Sequence, residues 1–289
     1  MSFLHVIILA IVQGLAELLP VSSSAHVVVA EKLMGMDPSS PEMTLLLVML
    51  HTGTMFAVIV YFWKRWHHAF LQSAEAFKKS IFLLFLATVL TGVVGEALIK
   101  IIEKIFLRGG PKAEIEQLFS HLEIIAPSLA VAGILILVSG ILERRHPSTM
   151  KVDGSSLDAT RAGIIGIVQG LCLPFRGLSR SGATISAGML AGVDKMTAED
   201  FSFALAVILT PAVDVREGLR LIKAEHISGS LGLASAFLPG LLGAACAFIA
   251  GLLALKWLSR WLESGKWYLF GIYCLLAAVA VGYLHHAGY

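Results

Sequence analysis

Apolar residues run almost unbroken over Leu45–Trp63, Ile81–Ile101, Ile124–Leu142, Phe201–Leu221, Leu231–Leu255 and Trp267–Tyr283. Each run approaches or exceeds the roughly 20 residues that a helix needs to cross about 30 Å of hydrocarbon. The pattern therefore predicts six membrane crossings. Two further stretches, Phe3–Leu33 and Gly163–Gly192, are long enough to cross but are interrupted near the middle by proline and a polar, serine-rich turn. Non-helical backbone at membrane depth survives only where protein or a wet cavity satisfies its hydrogen bonds. Each interruption therefore predicts a re-entrant helix-loop-helix pair facing a cavity, in preference to the alternative of two kinked, fully crossing helices.

The interrupted stretches begin alike. Ile11-Val12-Gln13-Gly14-Leu15 leads into Glu17, Pro20, Ser22, Ser23, Ser24 and His26; Ile167-Val168-Gln169-Gly170-Leu171 leads into Pro174, Arg176, Gly177, Ser179, Arg180, Ser181 and Thr184. Each copy opens a unit of one broken pair and three crossings, over about 1–146 and 160–289, with the polar stretch Glu143–Thr160 as linker. Three crossings reverse the side on which the second unit starts. The expected fold is thus a single all-α integral membrane domain over 1–289, built as an inverted-topology repeat whose broken pairs meet near mid-depth. Lys and Arg at the helix ends are more numerous on the linker side, among them Lys64, Arg65, Lys78, Lys79, Arg144 and Arg145. That bias places the linker in the cytoplasm and both termini outside. The Ile102–His121 stretch mixes charges with apolar residues and is expected along the outer interface.

Composition agrees with this architecture and removes other classes. Hydrophobic residues make up 57% of the chain and charged ones 15%, and the mean hydropathy is +0.81, far too apolar for an ordinary soluble domain. A net charge of +2 without a long basic run argues against a nucleic-acid partner. Cys172, Cys246 and Cys274 lie in apolar stretches and read as small core residues rather than a disulfide or metal set. The amino terminus lacks the basic region of a secretory signal, so no cleavage is expected. Membrane lipid is the expected surrounding, and a homodimer stays open.

The candidate chemistry lies in the two breaks. Gln13 and Glu17 are four residues apart and share a helix face, which suits a divalent cation or a reacting water; a carboxylate paired across helices is the structural alternative. Pro20 ends that half-helix, and Ser22, Ser23 and Ser24 offer N-caps for a second one from about Ala25 to Leu33. A helix N-terminus binds phosphate through free N–H groups and its partial positive charge. His26, three residues after Ser23, falls on the same side and is suited to exchanging a proton with that hydroxyl or with phosphate. In the second copy Ser179, Arg180, Ser181 and Thr184 form a like helix start, now with a guanidinium that matches phosphate oxygens. Arg180 is also a natural partner for Glu17, and an anion bridging the two is compatible with that pairing. His51, beside Thr52, Gly53 and Thr54, is the further polar group expected on the cavity. No P-loop, paired-histidine zinc motif or glycine-rich dinucleotide turn occurs.

At these residues the chain resembles the undecaprenyl-diphosphate phosphatase family of bacteria, also known for bacitracin resistance. One family motif corresponds to Gln13, Glu17, Leu19, Pro20, Val21, Ser22, Ser23 and His26, and the other runs from Gly177 to Thr184. The chain departs from the second motif in having Arg176 where the family has proline, and Gln13 is the less common residue at the first acidic position. The resemblance implies hydrolysis of the terminal phosphate of a long-chain polyprenyl diphosphate at the outer face of the inner membrane, which returns the monophosphate carrier to cell-wall synthesis. It implies catalytic roles for Glu17, Ser23, His26 and Arg180, phosphate contacts from Ser179, Arg180, Ser181 and Thr184, and a divalent cation, magnesium or calcium, near Gln13 and Glu17. The nucleophile, serine, histidine or water, is left open. Inverted repeats with broken helices also build secondary transporters, so a polyprenyl-phosphate transporter or flippase is the alternative.

Overall fold

A computed structural model describes residues 2–38, 40–106, 121–145, 157–228, 233–263 and 265–288. The central part of the Glu143–Thr160 linker and most of the stretch expected along the outer interface lie outside these residues. All the described secondary structure is helical: α1 (Phe3–Leu18), α2 (Ser23–Leu33), α3 (Pro41–Phe70), α4 (Ala74–Phe106), α5 (Leu122–Arg145), α6 (Ala159–Cys172), α7 (Arg180–Leu190), α8 (Lys195–Ser228), α9 (Leu233–Glu263) and α10 (Tyr268–His286). Six of these, α3, α4, α5, α8, α9 and α10, are long and apolar enough to cross a membrane. This is a multi-pass, all-α membrane protein. Each predicted crossing falls within one of these helices, except that Leu231 and Gly232 lie outside the described residues and Trp267 stands just ahead of α10. Most helices also run on past the apolar run, as α3 does through Lys64, Arg65 and His67 to Phe70, because the end of hydrocarbon does not end a helix.

The short helices form two hairpins. Pro20 lacks an N–H and disfavours helical backbone at Leu19, which is extended at φ −85° and ψ 150°, so α1 stops at Leu18. α2 then doubles back: Val27 shares one buried cluster with Val6, Leu9 and Ala10 of α1. In the second unit Arg161, near the start of α6, donates from Nε to the Ala191 carbonyl just past the end of α7 at 3.2 Å. That contact requires α7 to return to the side from which α6 came. Both hairpins fit the re-entrant reading. α2 begins at Ser23 rather than near Ala25, because Ser22 takes a left-handed backbone (φ 68°) that closes the turn early.

Helices of the first half of the chain pack on helices of the second. α1 lies on α9 and α6 on α4; α3 meets α8 and α5 meets α10. Close approach rests on small residues, the usual device where lipid offers no hydrophobic drive between helices. A Cβ on Gly53 would stand 2.2 Å from the Ala244 carbonyl oxygen, and one on Gly14 2.6 Å from the Ala250 Cβ. Hydroxyls add interhelical bonds: Thr91 donates to the Gly166 carbonyl at 2.9 Å, and the buried Trp267 donates from Nε1 to Ser139 Oγ at 3.1 Å. Large apolar side chains such as Phe85, Val93, Leu276 and Val279 point outward, where lipid rather than water receives them. Cys172 and Cys274 are buried and Cys246 is half-buried.

Candidate active site

The two breaks meet. Ser181 at the start of α7 donates to the Leu19 carbonyl in the first break at 3.4 Å, and Cys274 of α10 contacts the Pro20 carbonyl at 3.4 Å. Beside them lies a chamber of about 560 Å³ whose wall includes Glu17, Ser23, His51, Ser179, Arg180 and Ser181. Its lining runs out to Pro38, Ile99 and the exposed Arg216, so its mouth lies on the side on which α2 ends and α3 begins. α2 and α7 both start on its wall, so the N–H groups that no helical carbonyl accepts are presented there.

Ser22 and Ser179, each preceding one of these helices, are the non-glycine residues with positive φ among those described, at 68° and 50°. Such backbone costs about 1–3 kcal/mol at each residue and tends to be retained where function needs the geometry. Ser179 offsets part of that cost by accepting from the Gly182 N–H at 3.3 Å. Ser22 makes no side-chain cap of this kind; its hydroxyl lies 3.5 Å from that of Ser24.

Glu17 is the centre of the floor. Gln13 donates its amide to Glu17 Oε2 at 3.1 Å, Ser23 donates its hydroxyl to the same oxygen, and Arg180 donates from Nη2 to Oε1. His51 Nε2 stands 3.6 Å from Oε2. Its Nδ1 is turned to the Leu47 carbonyl at 2.8 Å; a carbonyl only accepts, so Nδ1 carries the proton and Nε2 faces the carboxylate. One carboxylate therefore joins α1, α2, α3 and α7. A serine hydroxyl held against a carboxylate, which a guanidinium neutralises from the other side, is an arrangement in which the hydroxyl can lose its proton as it attacks.

Not every expected residue faces the chamber. His26 does not belong to its wall: Nδ1 donates to the Ser22 carbonyl at 2.7 Å, and Nε2 accepts from the Tyr273 hydroxyl at 2.7 Å, with the two rings stacked at 5.6 Å. In this arrangement the ring braces the strained Ser22 turn against α10. Thr184 is fully buried behind the chamber, bonded to the Arg180 carbonyl at 2.7 Å and to Ser202 Oγ at 2.6 Å, so it pins α7 to α8. Gln13 is buried too and touches the chamber only through Glu17.

Asp214 on α8 lines the chamber and accepts from Thr52 Oγ1 at 3.2 Å. The sequence reading passed over it, although an ionisable residue inside an apolar crossing is itself a signal of function. Arg176 stands on the wall as well.

The expected magnesium or calcium finds little to hold it. The Glu17 oxygens are engaged by Arg180 and Ser23, and Gln13 turns its nitrogen toward the carboxylate, leaving its Oε1 buried without a partner. Among the described residues no group of three or more His, Cys, Asp and Glu is placed to hold a metal ion, whereas such ions take six or more oxygen ligands. These side chains by themselves do not fit a divalent cation.

Apolar helices long enough to cross a membrane, around a chamber walled by two helix starts, arginines and several hydroxyls, define a multi-pass membrane protein with a polar internal chamber suited to an anion. The sequence narrows this further: the profile of the bacitracin resistance protein BacA family matches residues 6–280, and the chain belongs to that family. It is 56% identical over 278 residues to undecaprenyl-diphosphatase 2 of Acinetobacter baylyi, covering 95% of each chain. It is 34% identical over 290 residues to undecaprenyl-diphosphatase 2 of Burkholderia thailandensis, covering 96% of this chain and 95% of that one. Identity to the undecaprenyl-diphosphatase of Parabacteroides distasonis is 29% over 288 residues, 96% of this chain and 97% of that one.

Proposed function

We propose that this protein hydrolyses undecaprenyl diphosphate to undecaprenyl phosphate and inorganic phosphate, recycling the lipid carrier of cell-wall synthesis. The observation that carries the reading is the Ser23–Glu17–Arg180 contact at the chamber floor, between two helix starts. The diphosphate head enters from the mouth while the polyprenyl tail stays in lipid. The terminal phosphoryl group meets the N–H groups of α2 and α7, and Arg180 turns part of its guanidinium from Glu17 to the phosphoryl oxygens. Ser23 Oγ attacks phosphorus, Glu17 takes the hydroxyl proton, and the bond to the bridging oxygen breaks; Glu17 passes that proton to the departing lipid monophosphate and is again a carboxylate. Water then attacks the phosphoserine, Glu17 now serving as base, and phosphate leaves. His26 acts from outside the chamber by holding the Ser22 carbonyl.

The chain sits in the bacterial inner membrane with the chamber open to the outer side, a reading supported by the charge bias toward the linker. Phosphate release from polyprenyl diphosphate by purified protein in detergent tests the function; a transporter would release none. A chelator in the same assay tests the expected divalent cation.

A further inference from the structure

Besides Arg180 the chamber is lined by Arg216, which pairs with Glu96 at 3.2 Å, and by Arg176. Arg176 lies in the turn between α6 and α7, four residues before Arg180, on the same wall. The turn behind it is closed by Phe175 N–H to the Cys172 carbonyl at 3.3 Å and Leu178 N–H to the Phe175 carbonyl at 3.2 Å. Gly177 has φ +125°, and a Cβ there would stand 2.7 Å from the Ile125 carbonyl oxygen and 2.9 Å from the Ser128 Cβ. The turn is thus pressed against α5, which sets where the Arg176 stalk begins. At its other end the guanidinium acts electrostatically on Glu31, a carboxylate only 3% exposed near the far end of α2. Glu31 lies eight residues beyond Ser23 on that helix, about 12 Å along its axis at 1.5 Å per residue. Arg180 is drawn to the floor by Glu17, whereas the carboxylate whose charge Arg176 feels is Glu31, farther along α2.

We propose that Arg176 contacts the inner, ester-bearing phosphoryl group of the substrate while Arg180 serves the terminal one, so that the two arginines select a lipid diphosphate over a monophosphate. The proposal rests on the phosphatase reading above. A diphosphate carries its charge on two adjacent centres, and a guanidinium offers each a fork of permanent donors. The terminal group has to reach Ser23 at the floor, which leaves the ester phosphate nearer the mouth, on the Arg176 side. As the Ser23 Oγ–phosphorus bond forms, the electron pair of the breaking bond passes to the bridging oxygen of the lipid monophosphate. Arg176 faces the group on which that charge collects. A proline at this position has no donor to offer.

The full-length protein in detergent provides two readouts, turnover of a polyprenyl diphosphate and thermal-shift binding of two probes, inorganic phosphate and non-hydrolysable methylenediphosphonate. The parent is expected to bind the diphosphonate at least tenfold more tightly than phosphate. Arg176→Ala and Arg176→Gln should bring the two within about twofold, leave phosphate binding unchanged and lower kcat/KM about 10- to 100-fold, with Arg176→Lys between. Parent-like preference for the diphosphonate in Arg176→Ala overturns the proposal, and so does an equal loss of both probes in Ala and Gln variants. Binding does not depend on hydrolysis. A parent that prefers the diphosphonate yet releases no phosphate refutes the phosphatase reading alone; a parent that turns over without that preference refutes the second subsite alone.

Discussion

Glu17 draws Arg180, Ser23, Gln13 and His51 onto one carboxylate, so changes among these five residues will not add independently. Arg180→Ala removes the fixed cation that faces the reacting phosphoryl group, and turnover should fall about a hundredfold or more. Near-parent phosphate release by that variant would refute the clamp. The duplicated motif also shows where the halves diverged. Gln169 occupies the place of Gln13, but Leu173 stands where Glu17 would be, and both amide atoms of the fully buried Gln169 lack a hydrogen-bond partner. An unsatisfied buried amide costs about 1–3 kcal/mol. Gln169→Leu should therefore raise the thermal midpoint while leaving phosphate release intact; a lower midpoint would mean that the amide has a partner, such as an ordered water. Glu17, Ser23 and Arg180 could be read from the repeat because a polar cluster in an apolar chain stands out. The direction of the His26 ring could not, since it depends on Tyr273, 247 residues away in the chain. Asp214 was missed because its crossing was judged by average apolarity.

The long helices are set by local sequence and their contacts by small residues. Gly53 lies two residues after His51 on α3, where a Cβ would run into the Ala244 backbone of α9. Gly53→Ala should push α3 from α9, costing about 1–3 kcal/mol through overpacking and shifting His51 from Glu17. The expected result is a lower thermal midpoint together with reduced turnover; parent-like behaviour in both would show that α9 yields without strain. The breaks were predictable from Pro20, Pro174 and the serines that follow. The left-handed backbone at Ser22 and Ser179 was not, because serine has no preference for it: the packed hairpins impose that conformation.

At the scale of the molecule, the reciprocal packing of α1 on α9 and α6 on α4 is what an inverted pair of units produces, and we propose that relation for the two halves. It places both termini on the side where the chamber has its mouth. In a variant lacking the native cysteines, Ser2→Cys should react with a membrane-impermeant thiol reagent added outside intact cells, and Gln72→Cys only after the membrane is opened. The reverse pattern would turn the chamber toward the cytoplasm and exclude carrier recycling at the outer face.

Hydropathy, proline and the repeated motif determined the number of crossings, the position of the two interruptions and the cluster that carries the chemistry, because each acts through neighbours in the chain or through the membrane as solvent. Only the tertiary structure decided that Asp214 faces the chamber while His26 and Thr184 turn away, and that the carboxylate at the floor is already held by arginine and serine. Those outcomes depend on which helix lies against which, and such contacts join residues far apart in sequence whose individual types say little about how they will meet.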